Sequence, residues 1–385
     1  MANSFTNIIP QLLAQGLMAL RENAMMARVV NTDYDREAAE QGDTINVPIP
    51  SAVTAVNVTP AITPPANSDQ TPSKVAIALN NWKEAPFYLT DKQMHEVMNG
   101  WIPKQASEAI RSLINAMDSS MLALYKGMYG IYPATTANTP MSSIKDATGM
   151  RKVLNQNLAP LDARHAILDP TAEAEALGLA QFADSTFSGS VAAIMDGQLN
   201  RKLGAQWWMN QNVPTHTAGA GITTGAIVKA STVHAIGVKS VVCTTAASTG
   251  AIAFLEGDII TIAGDPQTYV ITADVTEASA STDFTIAIEP GLKVATAGSE
   301  ALTFDDASGV VNMMIHRDAI ALATRPLADA DMGLGAISMS DVDPVSGLAL
   351  RVEVTRQHKQ TRFSYDMLWG TGLVRRGSAC RLLEQ

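Results

Sequence analysis

Apolar residues recur along this chain with two different periods, and the places where the period changes divide it. Residues 10–30 put Leu13, Leu17, Leu20, Ala24 and Ala27 at spacings of three and four, with Pro10 suited to a first turn. Gly16 interrupts that stripe, so the predicted helix needs a packing partner. Between 43 and 80 the period falls to two. Ile45, Val47 and Ile49, then Val56 and Val58, then Val75, Ile77 and Leu79 alternate with other residues. Pro48 and Pro50 remove ladder donors and confine the first strand to an edge. Pro60, Pro64, Pro65 and Pro72 lie in a Thr/Asn/Ser-rich stretch that reads as an extended loop. Alternating flanks around a proline-rich tip predict a projecting hairpin arm, with a plain linker as the other reading.

The clearest signal is WIPKQASEAIRSLINAMDSSMLALYKGM, residues 101–128. Ala106, Ile110, Leu113, Met117, Met121, Leu124 and Met128 fall at spacings of 4, 3, 4, 4, 3 and 4. That is one apolar stripe on a helix of roughly 40 Å, a structural beam rather than a catalytic element. Pro103 suits its first turn, and Gly127 and Gly130 end it. Ser143-x-x-Asp146 opens a further helix with Ile144, Ala147, Leu154 and Leu158 as its stripe. HAILDP then reads as a strand running into Asp169 and Pro170, the N-cap and first residue of a short helix. This is α+β alternation.

The next region is marked by what it lacks. The chain has 18 Met and 5 Trp, yet no Met, Trp or Arg occurs from Asn210 to Asn312. DIITIA, QTYVITA across the Gly264-Asp265-Pro266 turn, and Phe284, Ile286 and Ile288 alternate with period two. An all-β domain inserted into a host follows, and a closed barrel best buries the edges of so small a sheet. Its predicted core is Val228, Ile236, Val241, Phe254, Ile260, Ile262, Tyr269, Ile271, Phe284, Ile286 and Ile288. After it, LALRVEV and RFSYDMLWG alternate around the polar loop Gln357-His358-Lys359-Gln360, a hairpin with one buried face.

Length and composition narrow the function. A chain of 385 residues has room for two or three domains. Hydrophobic residues at 46 % exclude a disordered chain, and charged residues at 17 % leave little polar material for an outer surface. Much of that surface is expected to be covered by other subunits. The net charge of −10 excludes a globally basic nucleic-acid binder. Residues 351–385 depart from this, with seven Lys/Arg against three Asp/Glu. Two cysteines, Cys243 and Cys380, are too few for a disulfide scaffold and fit a reducing compartment. The N-terminal twenty residues lack a cationic region, and no window offers a membrane span.

Candidate chemistry is thin. His95, His165, His216, His234, His316 and His358 form no HExxH pattern, and neither a nucleophile elbow nor a phosphate loop occurs. Gly219, Gly221 and Gly225 have the wrong spacing for a dinucleotide loop and read as a domain junction. Asp329, Asp331, Gly333, Asp341 and Asp343 resemble calcium loops only superficially. Counting from Asp329, Leu334 stands where glycine is needed and Ser340 where a bidentate Glu is needed. Trp207-Trp208 has the chemistry to stack a base or sugar, but with only Arg201 and Lys202 nearby it reads as a packing or subunit contact. Arg375, Arg376 and Arg381 suit a phosphate, or more simply acidic neighbours in an assembly.

The order of these elements resembles the major capsid proteins of tailed bacteriophages, the Hong Kong 97-like fold. The N-terminal helix looks like their N-arm. GDTINVPIPS through VAIALNNWKEAPFYLTDKQ looks like their extended loop and return strand, and WIPKQASEAIRSLINAMDSSMLALYKG like their spine helix. ARHAILDPTAEAEAL is similar to the apical-domain strand that ends in an Asn/His/Asp-Pro step, and RFSYDMLWG with LVRRGSACRLL to the closing strands of the peripheral domain. The β-insertion opened by GDIITIAG is similar to that of the P-twenty-two-type coat proteins of short-tailed phages.

The resemblance implies an N-arm at 1–41, an extended loop and return strand at 42–90, and the spine helix at 91–135. It implies an apical domain at 136–215 and 307–349, an inserted all-β domain at 216–306, and closing peripheral strands at 350–385. The implied function is a non-enzymatic shell protein of the virion. It would assemble in the bacterial cytoplasm into pentamers and hexamers that enclose double-stranded DNA without binding it specifically. No long charged coiled-coil segment is seen ahead of the N-arm, so scaffolding and portal proteins are expected as separate partners, with no membrane. No catalytic, cofactor-binding or metal-binding residue and no cofactor is assigned, and a Lys–Asn crosslink cannot be placed. A tail-tube or other virion β-protein is the first rival, disfavoured by the long helix. A carbohydrate-active or hydrolytic enzyme with a β-module is the second, resting on Trp207-Trp208.

Overall fold

The computed structural model describes residues 9–33, 44–50, 53, 55, 60, 72–92, 101–136, 139–184, 195–197, 199–219, 228–245, 252–277, 283–304, 308–328, 336–343 and 346–383. Two compact units are defined by contacts. The first takes Met1–Ala27, Asn31–Ile114 and Ala321–Val374; the second takes Arg28–Val30, Asn115–Ile320 and Arg375–Gln385.

The first unit is organised by one long strand, Gln360–Leu373. It pairs antiparallel with Ala349–Gln357 through a tight turn, Gln357 opposite Gln360, and with the return strand Asn81–Thr90, Thr90 opposite Gln360. Lys359 takes a positive φ of 57° in that turn. Ile320–Arg325 and Ala336–Val342 complete the sheet. One face carries Val352, Val354, Phe363, Tyr365 and Met367, all buried, as the alternation predicts. Ser364 and Asp366 on the other face are buried as well, which the one-sided reading missed. Trp82 donates its indole N–H to Asp366 at 3.0 Å, and Arg351 grips the same carboxylate at 3.0 and 2.5 Å.

The arm begins as a hairpin. Thr44–Ile49 pairs with Ser73–Ala78, in register from Thr44 opposite Ala78 to Ile49 opposite Ser73. Ile45, Val47, Ile77 and Leu79 are buried with Ala321 and Ala323. Val56 and Val58 lie outside the described residues.

The helix predicted for 10–30 is two helices, Ile9–Asn23 and Met26–Val29. Ala24 and Ala27 keep the spacing and are buried across the break, so the period there reports burial and not an unbroken helix. The first helix buries Leu12, Leu13, Leu17 and Leu20. Gly16 lets it approach closely: a Cβ there would stand 3.0 Å from Ile110 and 3.1 Å from Leu350. The residue that weakens the isolated helix admits its partners. The long helix runs Trp101–Leu122 and tightens into a 3-10 turn, Ala123–Gly127. Its stripe is buried at Ala106, Ile110, Leu113, Met117, Met121 and Met128, while Leu124 is half-buried.

The second unit holds a six-stranded sheet in the order Ile131–Pro133, Ala379–Leu383, Asn312–His316, Arg164–Leu168, Ala205–Met209, Arg201–Lys202. The helices Ile144–Gln156 and Pro170–Gly178 bury Met150, Leu154, Ala172 and Ala176 against Ala166, Leu168 and Trp207. Ser143 caps the first, accepting from Lys145 N–H. Asp146 is fully buried and accepts from the backbone N–H of Thr135 at 2.9 Å, so it anchors a neighbouring loop. Leu158, expected in the stripe, is exposed at a positive φ of 57°, because the helix has already ended. Asp169 caps the second helix through Thr171 and Ala172, with Pro170 in its first turn.

In the same unit six strands close into a barrel. The order around it is Ser240–Thr245, Phe284–Glu289, Thr268–Ile271, Ile259–Ile262, Ala301–Phe304, Val228–Ala230. Closure pairs every strand and removes the sheet edges. The predicted core residues from Val241 to Ile288 are buried inside it, with Ala230, Cys243, Leu292 and Leu302 added. Ile236 is the exception: it lies exposed in a turn beside Gly237, which has a φ of 87°. The chain enters through Thr215–His216 and leaves through Gly309–Val310, and these strands pair with each other.

Gly149 tests the packing of the sheet unit. A Cβ there would meet the Tyr132 ring at 2.2 Å, and a ring cannot fold away as an aliphatic tip can. Gly149→Ala is expected to destabilise by about 1–3 kcal/mol. Gly178→Ala, with nothing within 4 Å, is expected to be neutral or stabilising by up to about 1 kcal/mol. Thermal unfolding of the two variants side by side checks the contrast.

Candidate functional site

The most elaborate polar arrangement lies where the barrel meets the rest of its unit. Tyr125 sits in the 3-10 turn after the long helix, His216 on the entry strand, and Asp258 just ahead of the barrel strand Ile259–Ile262. All three are buried. His216 Nε2 is 3.0 Å from Asp258 Oδ1, and its Nδ1 is 3.0 Å from the Tyr125 hydroxyl. Asp258 Oδ2 also accepts from the backbone N–H of Leu255 at 2.7 Å and of Gly219 at 3.2 Å. With Asp258 as the acceptor, His216 donates from Nε2 and the tyrosine hydroxyl donates to Nδ1.

Gly257 completes the junction. Its φ of 103° falls in the region open to glycine. Its carbonyl accepts from Arg381 Nη2 at 2.7 Å. The Arg381 guanidinium lies 5.6 Å from the centre of the Tyr125 ring, a cation–π contact. Thr268 adds a bond from the barrel to the carbonyl of Tyr129 at 2.6 Å. A cavity of about 250 Å³ opens beside the junction, lined by Tyr125, Lys126, His216, Leu255, Glu256 and Asp274 among others. Lys126 and Glu256 meet at 3.4 Å at its rim. The Asp–His–Tyr order has the form of a proton relay, but its hydroxyl is spent on the imidazole and buried. Chemically the arrangement is a clasp that joins four chain segments.

The residues singled out by sequence have other duties. Gly219 stands where a Cβ would be 2.1 Å from the Ala253 carbonyl, a close backbone approach rather than a phosphate loop. Gly221 and Gly225 lie outside the described residues, as do Asp329, Asp331, Gly333 and His95. Asp341 is exposed, and Asp343 accepts from the N–H and hydroxyl of Ser346 in a turn. Trp207 is buried edge-to-face on Phe182 with its N–H on the Lys202 carbonyl, whereas Trp208 is half-buried and donates to His165 Nδ1. The two indoles serve different environments and make no common stacking platform. His234 is buried against Thr296, and His358 is exposed in the hairpin turn. Among the described residues no cluster of three or more His, Cys, Asp or Glu is placed to hold a metal. Burial pushes the Cys243 thiol up to about 12 and the Cys380 thiol higher still, so both are inert.

The C-terminal cations are largely spent within the chain. Arg351 pairs with Asp366, Arg356 with Asp91, and Arg362 with Glu84. Arg356 holds the Asp91 carboxyl below its ordinary value. Arg381, grouped by sequence with Arg375 and Arg376 as a phosphate or assembly cluster, is fully buried in the junction. Sequence reasoning missed the clasp because His216 and Asp258 stand 42 residues apart with no spacing rule to join them.

No family model matches the chain, and no curated protein matches it. Among solved structures it is similar to one from Mycobacterium phage Che8, with a TM-score of 0.52 at 11 % identity over 94 % of this chain and 91 % of that one. It also aligns with the capsid of a native GTA particle at a TM-score of 0.48, 7 % identity, covering 94 % and 89 %. A third is the capsid of the cyanophage P-SCSP1u, at 0.47 and 11 %, covering 89 % and 84 %. The likeness to the first runs through nearly the whole of both chains. It establishes the fold alone: a mixed α+β chain that shares the architecture of that phage structure.

Removing the clasp's central acceptor tests its role. Asp258→Ala leaves His216 and two backbone N–H groups without their buried partner, and is expected to destabilise by about 2–4 kcal/mol. Glu256→Gln, at the exposed rim, should change stability by less than about 0.5 kcal/mol. Chemical denaturation of both variants checks the difference.

Proposed function

We propose that this chain is the major capsid protein of a tailed bacteriophage, a non-enzymatic shell subunit that assembles into pentamers and hexamers of an icosahedral head around double-stranded DNA. The observation that carries this is the end-to-end fold likeness to the Che8 phage structure, 94 % of one chain on 91 % of the other. The physical chemistry agrees. Charges are few, and many are paired inside the chain, which leaves a surface suited to repeated subunit contacts. A net charge of −10 keeps the wall of a DNA-filled container from adhering to its contents. Scaffolding and portal proteins are the partners this reading implies, and the virion is the place of the mature protein. Among the described residues no helix is long and apolar enough to cross a membrane.

The closed barrel, entered and left through one pair of strands, supports placement in the P-twenty-two-type branch with the barrel as its inserted domain. The rival enzyme reading loses its best support, since Trp207 is packed in the core. The arm supplies the sharpest test. Its described register ends at Ile49 opposite Ser73, and the proline-rich stretch 52–72 lies between those two strands in sequence. Deleting 52–72 is expected to leave the circular dichroism spectrum and unfolding temperature of the subunit intact while abolishing closed shells in electron micrographs of protein made with its scaffold. Normal shells from the deletion would refute the arm's role. A full-length protein that sediments only as a monomer under every assembly condition would refute the capsid reading.

A further inference from the structure

We propose that His165 is an acid-operated switch that holds Trp208 on the sheet while neutral and releases it when protonated. The indole N–H of Trp208 lies 3.1 Å from His165 Nδ1. An indole nitrogen only donates, so Nδ1 must carry a lone pair and the imidazole must be neutral with its proton on Nε2. Protonation at Nδ1 would set two donors face to face and break the bond. The rings are 6.4 Å apart and tilted by 36°, so the contact rests on this bond and not on stacking.

The surroundings oppose protonation. His165 lies on Arg164–Leu168, beside the strand Asn312–His316, with Ile315 as its register partner. That neighbouring strand ends in His316, and Arg317 and Asp318 follow in a 3-10 turn. On its own strand Arg164 turns away, donating to the carbonyls of Ala159 and Pro160 at 2.8 and 2.7 Å. On the other side the strand Ala205–Met209 supplies the neutral Trp208. His316 is buried, and its Nδ1 accepts from the Asp318 N–H at 3.2 Å. The carboxylates nearest His316 are 3.8 Å away at the largely exposed Asp162 and 3.9 Å away at Asp318, too far for a hydrogen bond to a cation. Burial first, then His316 and Arg317, hold His165 below its ordinary value.

The sign follows. A histidine depressed in the folded protein takes up its proton first in the unfolded chain. Stability is therefore lost as pH falls below the ordinary value of about 6.5, until the folded pKa is reached. Above about 6.5 the switch is closed and costs nothing. Below the folded pKa the imidazolium repels Arg317, and the half-buried Trp208 loses the hydrogen bond that ties its indole to the sheet.

The test is a fluorescence titration of the full-length protein from pH 8 to pH 4.5, with the Trp208→Phe variant subtracted to isolate one of the five tryptophans. The expected result is a reversible change in the Trp208 signal with a midpoint below about 6.5. It should vanish in His165→Gln, whose amide oxygen accepts from the indole at every pH. In Arg317→Gln the midpoint should move upward, because the guanidinium that opposes protonation is gone. A flat difference between wild type and Trp208→Phe, a transition that persists in His165→Gln, or an unmoved midpoint in Arg317→Gln would each overturn the proposal. If His165→Gln fails to fold, judged by circular dichroism at pH 8, the other two variants still decide it.

Discussion

A carboxylate taken out of water has to be met by donors that the chain itself supplies, and the second unit is arranged around one such group. Asp258 collects the imidazole of His216 and the backbone N–H groups of Leu255 and Gly219. His216 and Gly219 both lie on the entry segment while Leu255 is local to Asp258, so satisfying the charge fixes where the entry segment runs. His216 in turn engages Tyr125, and Tyr125 lies under Arg381. Two charged residues that would each be costly to bury alone are thus embedded in one network. Gly257 permits the turn that aims its carbonyl at Arg381 while leaving space for Lys126 and His216. The barrel is read from its sequence as self-contained, yet its most demanding polar groups are satisfied partly by residues outside it.

The first unit solves the same problem differently. Its long strand is bordered over residues 360–366 on both sides. Its apolar face is covered by the N-terminal helix and the long helix at Gly16. Its polar face is covered by its own side chains, as Trp82 and Arg351 close over Asp366. With few charges in the chain, those on this sheet are matched locally, and the excess of cations after residue 350 does not become a basic surface.

What could be read in advance follows from the range of the interactions. The Asp169-Pro170 start, the strands Thr44–Ile49 and Ser73–Ala78 and the turn at 358–359 are local, and each is where the pattern puts it. The barrel core from Val241 to Ile288 was legible because alternation on a closed sheet is nearly one-to-one with burial. Errors came where local pattern and tertiary context part. Leu158 keeps helical spacing after the helix has ended, and Ile236 is apolar but lies in a turn. Asp366 alternates as a surface residue yet is covered by partners 284 and 15 positions away. The clasp was invisible for the same reason, since no spacing rule connects residues 125, 216, 258 and 381.

The pairing of Thr215–His216 with Gly309–Val310 has an evolutionary consequence. The host chain departs and returns at one spot, so its own strand order is blind to the length of the excursion. Loops within the barrel can grow, shrink or be exchanged without shifting a single register elsewhere. The buried residues at the doorway enjoy no such freedom. Divergence in this region should therefore be steeply graded, fast at the far rim of the barrel and nearly frozen at Gly257 and Asp258, so that lineages keep the hinge pins long after they have remade the door.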